Sequence, residues 1–203
     1  PTIVPTFSNQ GLVTKKASDE IGLPMGIPVL YRAGDQPNNA LSLNAFQPGE
    51  IAATGGTSGV VYAITDDTNT KESLRINNFA HVNYTNEHPR IGKLLNINGA
   101  GIQYSWMKQN IAITSDSYND MNSLAEAVPV GSDGLRIIPF GNGAERMLNN
   151  KNSGAQISNL NFNQHKKQHL FRAALEGIAF SFVYGIDILK NDGVNLSAIR
   201  AGN

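Results

Sequence analysis

The sequence predicts an α/β fold. Two features carry that expectation. Short runs rich in β-branched residues, such as Ile51–Thr54 and Val60–Thr65, are bounded by glycine and polar residues, as strands are. Stretches with helical spacing lie among and after them, the longest from about Lys166 to Lys190. No internal repeat is present, which argues against a solenoid or a propeller.

The elements follow in order. Residues 11–27 read as a loop holding a short helix, with Ser18-Asp19-Glu20 able to cap a turn. Ile27–Arg32 is an apolar run and predicts a buried strand ending in Ala33-Gly34-Asp35-Gln36. Pro37 suits the first turn of a helix over Asn38–Ala45. Gln47–Glu50 is a turn, and Gly55–Gly59 joins the next two strands as a tight glycine hairpin. After a polar loop at Asp66–Glu72, two more strands are expected around Phe79–Tyr84 and Lys93–Ile97. Gly99–Asn110 predicts a helix with Ile102, Trp106 and Ile111 on one side, and Tyr118–Val128 predicts another. Leu135–Phe140 predicts a buried strand, whereas residues 141–163 are rich in Asn and Gly and show little periodicity. The long helix from Lys166 is apolar nearly all round, so it should be sandwiched inside the domain. Gly193 suits its C-terminal cap, and a last strand starts at Ser197.

Composition removes several functions. Lys+Arg and Asp+Glu are 16 each, so the formal net charge is zero. Duplex binding usually needs a basic excess, so no nucleic-acid partner is expected. There is no cysteine, which excludes disulfides, thiolate metal sites and cysteine nucleophiles and favours a cytoplasmic setting. The N-terminus lacks the basic and apolar regions of a secretory signal. Leu170–Leu189 contains Arg172, Glu176 and Asp187, so it reads as a helix of a water-soluble domain and no membrane partner is expected. Arg172 and Glu176 are one turn apart and read as a structural ion pair. The chain opens on Pro1, which suggests a fragment.

Three constellations could carry chemistry. Asp35 and Gln36 follow an apolar strand, at the edge where α/β sheets bind ligands. Asp35 there is either a general base or ligand acceptor, or only a cap for the following helix. Gly56, Thr57 and Ser58 lie in a glycine-rich turn whose amides and hydroxyls suit a phosphate, although it lacks the GK[ST] ending of a P-loop; an ordinary hairpin is the alternative. Gly99 and Gln103 share a helix face, offering close backbone approach and an amide, or simply an ordinary helix start. His165 and His169 have i,i+4 spacing but no acidic partner completing a zinc motif, so no metal ligand is assigned. Glu145-Arg146 reads as an exposed ion pair or a loop anchor.

Taken in order, these pieces resemble the FGGY carbohydrate kinases. Pro28–Gln36 resembles the family's strand ending in Gly-Asp-Gln, and Gly49–Gly59 its phosphate segment ending in Gly-Thr-Ser-Gly. Asn98–Tyr104 resembles its Gly-Ala-x-x-Gln helix start, and Leu135–Phe140 with Gly143–Arg146 its Pro-Tyr-x-x-Gly-Glu-Arg stretch. His169–Gly177 is similar to the second family signature, and Ile199–Asn203 to the start of the adenosine segment. Phe79–Asn83 and Gly131–Arg146 are most like xylulokinases of Bacteroides-type bacteria, although Met147-Leu148 stands where many of those have Thr-Pro.

The resemblance implies a ribonuclease H-like (actin-like ATPase) domain, with a mixed sheet flanked by helices. It implies that residues 1–46 are the tail of a first kinase domain and 47–203 most of a second, the N-terminal kinase domain being otherwise missing. It implies ATP with Mg2+ and a small sugar as partners. The reaction expected is phosphoryl transfer to a ketopentose, D-xylulose to D-xylulose 5-phosphate, with glycerol, gluconate, L-ribulose or L-fuculose as alternatives. A non-catalytic actin-like nucleotide-binding protein is a further alternative. Asp35 would be the catalytic base and, with Gln36, would contact the sugar. Gly56, Thr57, Ser58, Gly99, Gln103, Gly202 and Asn203 would hold the nucleotide. Many members self-associate, so a homodimer is among the expectations, and the fragment alone should be inactive.

Overall fold

The computed structural model describes residues 4–202. Its elements are β1 (Gly11–Leu12), α1 (Lys15–Ile21), β2 (Pro28–Val29), α2 (Asp35–Ser42), β3 (Glu50–Gly55), β4 (Gly59–Thr65), β5 (Asn77–Ala80) and β6 (Ile91–Ile97). There follow α3 (Gly101–Asn110), α4 (Tyr118–Glu126), β7 (Arg136–Ile138), β8 (Gln156–Ser158), α5 (Lys167–Asn191) and β9 (Ala198–Gly202).

Five strands form the central sheet in the order β5-β6-β4-β3-β9. β3, β4, β5 and β6 pair antiparallel. β9 returns parallel to β3, with Thr54 opposite Gly202. A parallel neighbour needs a long crossover, and the segment from α3 to α5 supplies it.

Side chains alternate across this sheet. Val61, Ala63, Leu95 and Ile97 pack with Ile186, Ile188 and Leu189 of α5. Val60, Tyr62, Ile64 and Leu94 pack on the other face with Ala40 and Ala45, in and just after α2. β4 is therefore buried along its whole length, which explains its unbroken apolar sequence. A second core lies between α5, α4 and β7, around Phe171, Met121 and Ile137.

Several expectations are corrected. Ile27–Arg32 is not a buried strand: only Pro28 and Val29 pair, with β1, and Leu30 is 59% exposed. No layer covers that run among the described residues. The long helix is not sandwiched, because Phe180, Val183 and Tyr184 are exposed on the side away from the sheet. The helix near residue 100 starts at Gly101 rather than Gly99, and its buried side is Gln103, Tyr104 and Met107 while Trp106 is exposed. Leu135–Phe140 narrows to the three residues of β7, which pair with β8 in a separate ribbon. Thr14 caps α1 by accepting the Ala17 N–H at 3.2 Å, leaving Ser18 inside the helix. The helix expected from Asn38 begins three residues earlier, with Gly34 as its cap, so Asp35 is its first residue and not the cap. Pro37 is tolerated there because first-turn N–H groups have no helical partner.

Candidate functional site

The site forms where β3 and β9, running parallel, reach their carboxyl ends. The β3–β4 turn is closed by the Gly55–Gly59 pair and by the Gly56 N–H donating to the Ser58 carbonyl at 3.0 Å. The first amides of α3 hold this turn. Gly101 N–H donates to the Gly56 carbonyl at 3.1 Å, and Ile102 N–H to the Thr57 carbonyl at 2.9 Å. Gly101 must be glycine, since a Cβ there would overlap the Gly56 oxygen.

This clamp fixes the other side of each peptide. In a trans peptide the N–H points opposite to the carbonyl. With the Gly56 and Thr57 carbonyls pinned to α3, the Thr57 and Ser58 N–H groups face away from the helix. Neither has a protein acceptor among the described residues, and neither hydroxyl makes a hydrogen bond there. Both residues are at least partly exposed. Two free amides and two free hydroxyls on a short loop present donors of the kind that bind anions.

Asp35 stands at the same end of the sheet. One turn beyond it on α2, Asn39 Nδ2 donates to Thr54 Oγ1 at 3.1 Å, which pins α2 to the end of β3. The Asp35 carboxylate is exposed and accepts the Gln36 N–H at 2.8 Å, leaving its other oxygen open. Gln36 has a buried side-chain oxygen with no partner. Gly202 lies beside Thr54, and Leu43 from the end of α2 packs where its side chain would be. Gln103 is buried on the first turn of α3 with neither amide atom bonded. Gly99 faces protein: a Cβ there would overlap the Pro139 carbonyl. Its N–H goes to Glu145 Oε2 at 3.2 Å. Asn203 lies outside the described residues. The fold thus gathers Asp35, Gln36, Gly56, Thr57, Ser58 and Gly202 at one edge, with Gln103 on the helix that clamps the turn.

Other polar groups are structural. Tyr62 Oη and His81 Nδ1 are 3.2 Å apart, and His81 Nε2 is 3.0 Å from the Ala45 carbonyl. The arrangement assigns a neutral ring that donates through Nε2 and accepts from the tyrosine. Burial favours this state, lowering the pKa of His81 and raising that of Tyr62. Lys93 Nζ is 2.7 Å from Asp192 Oδ2, both side chains fully buried. Arg172 and Glu176 form the expected pair at 2.6 Å, and Glu176 also accepts the Gly131 N–H at 2.9 Å. His165 and His169 both turn to Asp133, and no group of three or more His, Asp and Glu among the described residues could hold a metal ion. No helix among them is long and apolar enough to cross a membrane.

Sequence reasoning missed one contributor and left a second undecided. Gly101 was passed over for Gly99, although the turn touches the former. Of the two readings the sequence left open for Glu145, exposed ion pair or loop anchor, the structure shows the anchor: it is 1% exposed and holds the loop before α3.

The sequence profile of the FGGY family of carbohydrate kinases, C-terminal domain, matches residues 51–202. The chain belongs to this family. It is 33% identical to the gluconokinase of Bacillus subtilis over 88% of its own length and 36% of that protein. It is 26% identical to the xylulose kinase of Haemophilus influenzae over 98% of its own length and 39% of that protein. Among solved structures it superposes on the xylulose kinase of Rhodospirillum rubrum with a TM-score of 0.82 at 23% identity, covering all of this chain and 40% of that one. The glycerol kinase of Plasmodium falciparum, solved with ADP, gives a TM-score of 0.79. The chain therefore spans about two fifths of its FGGY relatives, and its fold is the actin-like ATPase fold they share.

Proposed function

We propose that the complete polypeptide carrying this segment transfers the γ-phosphoryl group of Mg-ATP to a hydroxyl of a small sugar. The observation that carries the reading is the pairing, at one sheet edge, of a free amide-and-hydroxyl turn with an open carboxylate. The Thr57 and Ser58 amides receive the ATP phosphates and offset the charge that builds on them. Asp35 accepts the proton of the attacking hydroxyl. The sugar oxygen bonds to the γ-phosphorus, the bond to the β–γ bridging oxygen breaks, and ADP leaves. Such a base contributes about 10²–10⁴ in rate. Gln36 contacts the sugar beside Asp35. Gly202 and Asn203 begin the adenosine contact, and Gly99 and Gln103 act through the placement of α3. No group of three or more His, Asp and Glu among the described residues could hold a metal ion, and Mg2+ would come bound to the nucleotide, where it would offset phosphate charge.

Residues 1–46 are read as the tail of a first kinase domain and 47–203 as the second, with the cleft between them. The fragment alone is then inactive. A cytoplasmic location fits the absence of cysteine. D-xylulose is the acceptor favoured by Phe79–Asn83 and Gly131–Arg146; gluconate is the second reading, favoured by the 33% identity to a gluconokinase. ADP release by the complete polypeptide with Mg-ATP tests this against D-xylulose, D-gluconate and glycerol. Stimulation by D-xylulose above the others is expected. Stimulation by gluconate alone overturns the sugar, and none by any of a wide polyol panel overturns the reaction.

A further inference from the structure

We infer that Glu145 is a positioning residue for the nucleotide-phosphate turn, acting through the backbone between β6 and α3. The inference rests on the phosphate reading of that turn. Glu145 Oε2 accepts the Asn98 N–H at 2.9 Å and the Gly99 N–H at 3.2 Å. Two residues on, the Gly101 and Ile102 amides grip the Gly56 and Thr57 carbonyls. A continuous chain of charge-assisted and backbone hydrogen bonds thus runs from one buried carboxyl to the peptides that aim Thr57 and Ser58 at a ligand.

Further contacts restrain the same stretch. Asn98 Nδ2 donates to the Ala144 carbonyl at 2.7 Å, and Asn142 Nδ2 donates to the Asn98 carbonyl at 3.0 Å. Gly99 lies against the Pro139 carbonyl with no room for a side chain. The Glu145 loop and the β6–α3 turn are therefore fitted to each other. Glu145 Oε1 is buried and has no partner. Burial raises its pKa, against the opposing pull of the Asn98 and Gly99 amides. Either protonation state keeps Oε2 as the acceptor of both N–H groups.

The test measures ATP affinity by calorimetry and the KM values for ATP and sugar in the complete polypeptide. Glu145→Ala should weaken ATP binding and raise its KM by about tenfold or more, the order lost with one charge-assisted hydrogen bond, and leave the sugar KM unchanged. Glu145→Gln should restore both to within about threefold, because its carbonyl can accept the same two amides. Met147→Ala, a buried core change nearby, should lower thermal stability without changing ATP affinity. If Glu145→Ala does not fold, Glu145→Asp serves, since it draws the acceptor back by one methylene. ATP affinity within about twofold of wild type in Glu145→Ala or Glu145→Asp overturns the inference. So does an equal loss of affinity in Met147→Ala. If wild type binds ATP but phosphorylates no sugar, the functional reading falls and the calorimetric comparison still decides the role of Glu145. If wild type does not bind ATP, both fall.

Discussion

Residues 27–32 and residues 60–65 are both short apolar runs, and they meet opposite fates. Leu30 is 59% exposed, while Val61 and Ile64 are fully buried. The second run has a strand on each edge, β3 and β6, a helix over one face and Ala40 and Ala45 against the other. The first has one two-residue partner and no cover among the described residues. Hydrophobicity fixes what a segment gains by burial; neighbours in the fold decide whether it is buried. Within this chain the buried apolar side chains lie mainly on the five-stranded sheet and α5, and few lie before α2. Asp35 sits where the two regions join.

Five variants, compared by unfolding free energy in denaturant, test that contrast. The largest loss is expected for Lys93→Met, about 3–5 kcal/mol, because it leaves the fully buried Asp192 carboxylate without its cation. The double variant Lys93→Met/Asp192→Asn should recover part of that loss. Leu95→Ala should cost about 2–5 kcal/mol, the range for a leucine removed from a packed interior.

Glu50 gives a smaller effect that depends on pH. Amide donors at Gln47 and Phe46, with Arg200 at 2.9 Å, hold its pKa at about 2 instead of 4.5. Its pKa is lower in the folded state, so the stabilisation is present above about pH 4.5 and is lost as pH falls towards 2. Glu50→Gln should flatten that part of the pH–stability curve, with a loss at neutral pH of about 1–2 kcal/mol. The smallest effect belongs to Leu30→Ala, measured in the 203-residue chain itself, within about 0.5 kcal/mol. A loss there comparable to Leu95→Ala would show that the first region is held as firmly as the sheet.

The same contrast explains what could be read from the sequence. The β3–β4 hairpin was legible because glycine and β-branched residues act locally: two strands and a tight turn need only each other. The long helix was legible in extent, within a residue at each end, because its pattern runs unbroken. Its surroundings were not, since no local signal says that Phe180 and Tyr184 face away from the sheet. β8 was invisible: three residues, all exposed, with no alternation. In the candidate site, residue type alone left Asp35 between a base and a cap and the Gly-Thr-Ser turn between a phosphate site and a hairpin, and only the family resemblance chose between them. Gly101 was missed, and Glu145 was left between an exposed ion pair and a loop anchor, because their roles come from contacts with Gly56 and with Asn98 and Gly99, far apart in sequence. The buried Lys93 did have a signal, a lone charge within an apolar strand, but its partner Asp192 lies 99 residues away.

The most direct test of the account is Asp35→Asn in the complete polypeptide, read by ATP calorimetry and by sugar-stimulated ADP release. Asparagine keeps the size of the side chain and its bond to the Gln36 amide but cannot take up the hydroxyl proton. ATP affinity within about twofold of wild type, with turnover reduced by about 10²–10⁴, is the expected result. Turnover near the wild-type value would remove Asp35 from the chemistry and contradict the reading of this sheet edge as a phosphoryl-transfer site.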